Sequence, residues 1–499
     1  MTGEAFLGLI MLLIMIGAIF IGFPISFTLL FLAFAFGYFG LGGHTVFNLA
    51  YFQTIGMMKE ELLAAVPLFI FMGFIVEQAG LMERLFTAFR LLLAPVRGAL
   101  YLVVILTATV FAMATGIVGA AVTVLGIMAS PIMVKTGYDA QLSAGTITAG
   151  GTLGILIPPS VMLIVMGPVL GVSVADLYAA AFGPGFLLAG LYIAYLMIRS
   201  FINPKLGPPV PKEERVHSVP VILKEVVLGV LPLVGLIAAT LGSILAGWAT
   251  PTEASGIGAL GAVILAIAYR KATLAGLKRA LLSTMATSSM VLLLATTSNI
   301  FGAVFARLGT ANWITESLLA LSLPPTVMLI MVVILIFLLG WPFEWPAIIL
   351  VFLPIFYPVV AALKFDLIWF GALVAVTLQT AFLSPPVAMS AYYLKQVVKD
   401  WSLATIYKGM FEFMILQVIA ISLIIAFPKI ATTFPELLQA QARAIKVEDV
   451  DDSANRLEAD PFKAMEGQTE GQGADEEEEE ESAGDDLEED EMSAKTKKK

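Results

Sequence analysis

The 499-residue chain has no cysteine and only two histidines, His44 and His217. Disulfides, thiolate zinc sites and a cysteine nucleophile are therefore impossible, and two histidines in polar connections do not make an imidazole metal centre. Charge is also scarce. Asp, Glu, Lys and Arg supply 13% of residues against 59% hydrophobic ones, with a mean hydropathy of +0.93. Such a chain cannot fold around a water-soluble core and reads as a polytopic membrane protein. No G-x-x-x-x-G-K stretch occurs, which disfavours an ATP-driven pump within this chain. An intramembrane enzyme is disfavoured too, because a metal or an activated nucleophile with its base is missing at depth. The amino terminus, Met-Thr-Gly-Glu, lacks a basic region and a small-residue cleavage site. Its apolar run reads as a first spanning helix rather than a cleaved signal.

The net charge of −10 is unevenly placed. From Glu436 onward there are 22 acidic and 8 basic residues, so the first 435 positions carry +4. The tail, with DEEEEEE at Asp475 to Glu481, lacks apolar periodicity and is expected to be disordered from residue 431 to 499.

Apolar runs give ten expected crossings near 5–22, 25–40, 62–80, 140–171, 182–199, 226–246, 251–269, 281–306, 367–398 and 410–428. Two further segments, 99–134 and 326–362, are about twice as long as one crossing needs. Each is interrupted at its centre, by ATGIVG at Ala114 to Gly119 and by GWPFEWP at Gly340 to Pro346. They read as re-entrant hairpins. A shift of 227 residues superposes Pro24 on Pro251, Pro131 on Pro358, Asp139 on Asp366, Pro158 on Pro385 and Pro159 on Pro386. The expected fold is an all-α polytopic membrane protein made of two repeats, 1–200 and 225–430, joined by a cytoplasmic linker at 201–224. Five full crossings per repeat invert the second copy.

Charge gives an independent reading of orientation. With the first crossing starting outside, sixteen basic residues fall in inner loops and four, Lys59, Arg307, Lys364 and Lys429, fall outside. Both termini are then external. Met82 to Leu93 and Gly309 to Leu321 read as amphipathic helices in the interface.

The stretch GGTLGILIPPS, Gly150 to Ser160, strings helix breakers together inside an apolar run. Unpaired peptide groups cost several kcal/mol in lipid, so irregular backbone at that depth survives only in protein or around a watery cavity. Glycines let the chain leave the helix, and prolines free carbonyls of the preceding turn. Ser160 is placed to satisfy the first amides of the next half-helix. Free carbonyls suit a small cation and free amides an anion. The pattern returns in LQTAFLSPPV, Leu378 to Val387, where Gln379, Thr380 and Ser384 add side-chain oxygens. Paired breaks facing paired hairpin tips describe a secondary transporter with a site near mid-membrane. Glu253 reads as a structural acid at a helix start, and Trp341, Trp345 and Trp369 as interfacial anchors or packing residues.

GYDAQLSAGTITAGGTLGILIPPS (Gly137 to Ser160), AAFGPGFLLAGLY (Ala180 to Tyr192), GWATPTEASGIGAL (Gly247 to Leu260) and LSPPVAMSAYYLK (Leu383 to Lys395) resemble the signatures of the large membrane subunit of tripartite ATP-independent periplasmic, or TRAP, transporters. The resemblance covers roughly residues 1–430. It implies an elevator-type fold in the bacterial cytoplasmic (inner) membrane, sodium as coupling ion with no resident cofactor, a small four-helix membrane partner and an extracytoplasmic solute-binding receptor. It also implies import of a small organic acid, with no nucleic-acid partner. Carried over residue by residue, it places one cation between Thr115, Gly116 and Gly119 and the break at Gly150, Gly151 and Thr152. A second falls between Gly340, Trp341 and Glu344 and the break at Gln379, Thr380 and Pro385. The substrate is expected against Pro158, Pro159, Ser160, Ser384 and Pro386. The sequence departs from the family in hairpin tips less rich in Ser and Gly and in the acidic tail. A stand-alone ion-coupled carrier or antiporter of the same architecture is the alternative, and a passive channel would conduct without saturation or sodium.

Overall fold

The computed structural model describes residues 3–116, 118–209, 218–385, 388–441 and 443. Among these the regular structure is helical throughout. The first half holds α1 (Gly3–Ile21), α2 (Ile25–Leu41), α3 (Gly43–Met58), α4 (Ala65–Gln78), α5 (Leu81–Leu93), α6 (Ala99–Thr115), α7 (Val118–Lys135), α8 (Ala140–Thr152), α9 (Val161–Leu170) and α10 (Val174–Ile202). The second holds α11 (Val219–Ile237), α12 (Ser243–Leu245), α13 (Pro251–Ala268), α14 (Leu274–Arg307), α15 (Thr310–Ala320), α16 (Pro325–Leu339), α17 (Trp345–Ala347), α18 (Leu353–Ala362), α19 (Leu367–Ala381), α20 (Met389–Val397) and α21 (Leu403–Ala426). Nine described helical stretches are long and apolar enough to cross a membrane. Two of them, Val118–Lys135 and Trp345–Ala362, lie in the segments expected as hairpins.

Local chemistry sets the boundaries. Asp139 and Asp366 begin α8 and α19, each accepting a backbone N–H at 2.8 Å, from Leu142 and Trp369. These bonds satisfy amides that have no partner inside the helix. Thr250 and Glu253 form a reciprocal capping box at the start of α13, the structural role expected of Glu253. Trp369 is buried and donates its indole N–H to Ile424 O at 3.2 Å, which makes it a packing residue.

Helix packing crosses between the halves. The arm α7 packs on α20, while α9 packs on α17 and α18; α8 lies along α21, while α19 lies along α10. The α8–α21 crossing is close because both partners carry glycine there: a methyl added at Gly145 would sit 2.6 Å from Gly409 O. Small residues of this kind let membrane helices approach by van der Waals contact. In a second group α2, α3 and α4 pack on the long α14, and α13 packs on α4.

Two features differ from the sequence reading. Helix α3 had no counterpart there, because His44, Asn48 and Gln53 break its apolar run below spanning strength. Residues 429–441 are helical, although the tail was expected to be disordered from 431. Buried Ala431, and the Phe434 ring 5.8 Å from that of Phe182, supply the apolar contacts. Residues 210–217 of the linker and 444–499 of the acidic tail lie outside the described residues.

Candidate transport site

The two interrupted stretches meet. Helix α8 ends at Thr152, a 3-10 turn covers Leu153–Ile155, the Pro158–Pro159 peptide is cis, and α9 begins at Val161. In the second half α19 ends at Ala381 and α20 begins at Met389, after Ala388 in the left-handed region with φ +37°. Gln379 Nε2 donates to Thr152 Oγ1 at 3.1 Å, joining positions 227 residues apart. Thr152 Oγ1 in turn donates to Ala149 O at 2.8 Å. Both side chains are fully buried.

Each turn region abuts a break. Gly116, with φ +61°, faces the first break so closely that a methyl there would lie 3.5 Å from Pro159 O and 3.8 Å from Gly154 O. A side chain would fill the gap that glycine keeps open beside those carbonyls. A methyl at Gly340 would stand 2.6 Å from the Ala381 side chain, at the end of α19. Between these contacts lies a cavity of about 440 Å³. Gly116, Gly119, Gly340, Trp341 and Glu344 line it, so five of the expected residues share one space.

The other expected residues take other places. Gly151 packs on Val122 of α7 and Gly150 on Ile105 and Ala108 of α6; both keep the broken helix tight against its neighbours. Pro158, Pro159 and Ser160 are buried and lie outside the cavity lining. Ser160 does not cap α9. Its hydroxyl donates back to Ile155 O at 2.5 Å, a carbonyl left without its helical donor because Pro159, four residues on, has no N–H. Thr380 donates to Thr377 O at 2.5 Å. Gln379 Oε1 and Ser384 Oγ are buried without a hydrogen-bond partner among the described residues, leaving two free oxygens at the second break. Pro385 is exposed; the Thr115 side chain and Pro386 lie outside the described residues.

Part of the wall was not expected from the sequence. Ile25 of α2, Ile70 of α4 and Thr287, Met290 and Val291 of α14 close the cavity from the group around α14, and Tyr393 of α20 closes it from the second break. Tyr393 lies against Gly119 and shares the cavity wall with Glu344. Only the polar run ATSS, Ala286 to Ser289, could have pointed to α14. Glu344 is the one charged side chain among the described residues that line the cavity. It forms no ion pair or side-chain hydrogen bond among them. An ionisable residue at this depth is a candidate functional group.

An all-helical membrane protein whose interrupted helices converge on an internal cavity belongs to the transporter class. Its fold is similar to that of the YdaH transporter of Alcanivorax borkumensis, with a TM-score of 0.56, 16% identity, and 79% of this chain and 90% of that one covered. Residues 12–430 match the model of the tripartite ATP-independent periplasmic transporter, DctM component, and the chain belongs to that family. It is 31% identical to the sialic acid TRAP transporter large permease protein SiaM of Vibrio cholerae, over 85% of this chain and 97% of that one. It is 28% identical to the C4-dicarboxylate TRAP transporter large permease protein DctM of Rhodobacter capsulatus, over 77% and 88%. The ectoine TRAP transporter large permease protein TeaC of Halomonas elongata is 27% identical, over 86% and 99%. These relatives are transporter permeases, not enzymes. The chain is thus a multi-pass protein of the inner membrane, from a family whose large permease works with a small permease subunit and a periplasmic solute-binding protein.

Proposed function

We propose that this chain is the transport subunit of a receptor-dependent secondary transporter that imports a small organic acid by sodium symport. The observation that carries the reading is the shared cavity, where both turn regions meet the ends of both breaks. In this reading one sodium ion sits between the turn at Gly116 and the first break, near Pro159 O and Gly154 O. A second sits near Glu344 and the free oxygens of Gln379 and Ser384. Backbone amides at the starts of α9 and α20 receive the carboxylate. With no basic side chain among the described lining residues, the acid's charge is met by amides and co-bound cations. Binding then falls off without sodium, and this dependence is the coupling.

The same reading treats the halves as inverted repeats, each with a re-entrant hairpin, and both termini as periplasmic. It is supported by the reciprocal packing of α7 with α20 and of α9 with α18, and by the Thr152–Gln379 contact between positions related by the sequence offset. The group that bears the breaks moves as an elevator past the wall formed by α2, α4 and α14. A net positive charge moving inward gains about 2.3 kcal/mol per 100 mV.

The test is uptake into proteoliposomes by the purified chain with its small subunit. An inward sodium gradient and the cognate receptor are both expected to be required, with a panel of organic acids supplied through the receptor. Uptake at full rate without sodium overturns the symport. Uptake without the receptor points to a self-sufficient carrier instead.

A further inference from the structure

A second cavity, of about 240 Å³, opens where the ends of α4 and α13 meet the start of α14. It shares no lining residue with the transport cavity. Its walls include Ile75, Val263, Ile267 and Leu277, and Lys271 stands at its edge. The apolar surface continues outward through Leu274, which is 85% exposed. Around this opening the charge is mostly positive. Arg270, Lys271, Lys278 and Arg279 are all exposed, and none of the four has an ion pair or side-chain hydrogen bond among the described residues. Arg84 is already engaged over the Tyr269 ring, at 5.0 Å. The nearby acids are Glu83, which with Lys271 flanks Gly80, Glu77 behind it, and Glu225 near Tyr269.

We propose that this cavity binds an anionic phospholipid, with an acyl chain along Ile75, Val263, Ile267 and Leu277 and its phosphate against Lys271 and Arg270. The argument is complementarity at both ends of the ligand. Hydrocarbon walls are covered by a lipid tail and left bare by a soluble phosphate. A basic pocket between helix ends favours an anionic headgroup, whereas a zwitterionic lipid brings its own cation to the same edge. The site lies on the side that the excess of basic loops assigns to the cytoplasm, where anionic lipids meet such clusters.

The experiment is native mass spectrometry and thermal unfolding of the purified chain with its small subunit in detergent, titrated with phosphatidylglycerol, phosphatidylcholine or inorganic phosphate. Phosphatidylglycerol is expected to bind saturably and at least about tenfold more tightly than phosphatidylcholine, with no effect of phosphate at equal concentration. The double variant Arg270→Ala/Lys271→Ala should weaken that binding about tenfold or more. Ala272→Trp should occlude the cavity without changing charge. Lys408→Ala, an exposed basic residue on α21, is the control and should bind as the parent does. Equal binding of phosphatidylcholine, undiminished binding by both test variants, or competition by phosphate overturns the proposal. Binding seen only after the small subunit is stripped away assigns the cavity to that subunit and overturns it equally.

Discussion

At the residue scale the weight falls on Glu344 and on the Thr152–Gln379 pair. An ionised acid at mid-membrane costs about 2.5–3.5 kcal/mol on insertion scales, and Glu344, at the turn before α17, has no basic residue beside it among the described lining of the cavity; in the proposed function sodium supplies the counter-charge. Glu344→Gln is expected to raise the sodium concentration for half-maximal uptake about tenfold or more while the protein still folds. Sodium-dependence curves in proteoliposomes check this, and an unchanged curve removes Glu344 from the cation site. The buried pair is a different kind of contact. Polar bonds between membrane helices average about 0.6 kcal/mol, with a maximum near 1.7. A double-mutant cycle of Thr152→Val and Gln379→Leu, read by thermal unfolding, should give a coupling energy in that range. That Glu344 lines the cavity was legible from sequence because a lone carboxylate inside a long apolar segment is costly unless it faces a partner or a cavity. Ser160 was misread: its type suggested a cap, but a carbonyl released by the neighbouring turn competed successfully for the hydroxyl.

At the scale of elements, the helices follow from apolar run length and from the residues that end them. Asp139 and Asp366 mark helix starts that a bare hydropathy count smears by several positions, since the side-chain bond at 2.8 Å fixes where the helix begins. Asp139→Ala should destabilise the protein by about 1 kcal/mol, measured as a drop in the unfolding midpoint. The α8–α21 crossing is more sensitive. Gly145→Ala places a methyl 2.6 Å from Gly409 O and 2.7 Å from the Phe413 ring, an overpacking expected to cost about 1–3 kcal/mol. A variant as stable as the parent would show that the crossing relaxes freely. What the sequence could not give was the partner of each helix. Whether α9 packs on α18 or on α7 depends on three-dimensional packing that hydropathy does not encode, and the wall supplied by α14 was hidden for the same reason.

At the scale of the whole molecule, the missing cysteines become an experimental advantage, because any introduced thiol is the only one present. On the proposed topology Lys364→Cys should react with a membrane-impermeant maleimide added outside intact cells, and Lys399→Cys only after permeabilisation. The reverse pattern would turn the protein over and with it the assignment of the lipid cavity to the inner leaflet. The offset in proline and aspartate positions was readable in the sequence, whereas cavity shape and the mixed origin of its wall were not. The Thr152–Gln379 bond carries a further meaning on the repeat reading. A position that touches its own copy sits on the axis relating the halves, so in an ancestral pair of identical chains the same side chain met itself there. A short hydroxyl on one side and a long amide on the other is an arrangement that two identical subunits could not adopt at that spot. On that reading a single chain permits the asymmetry, and the two ion sites of the proposed function then differ in strength.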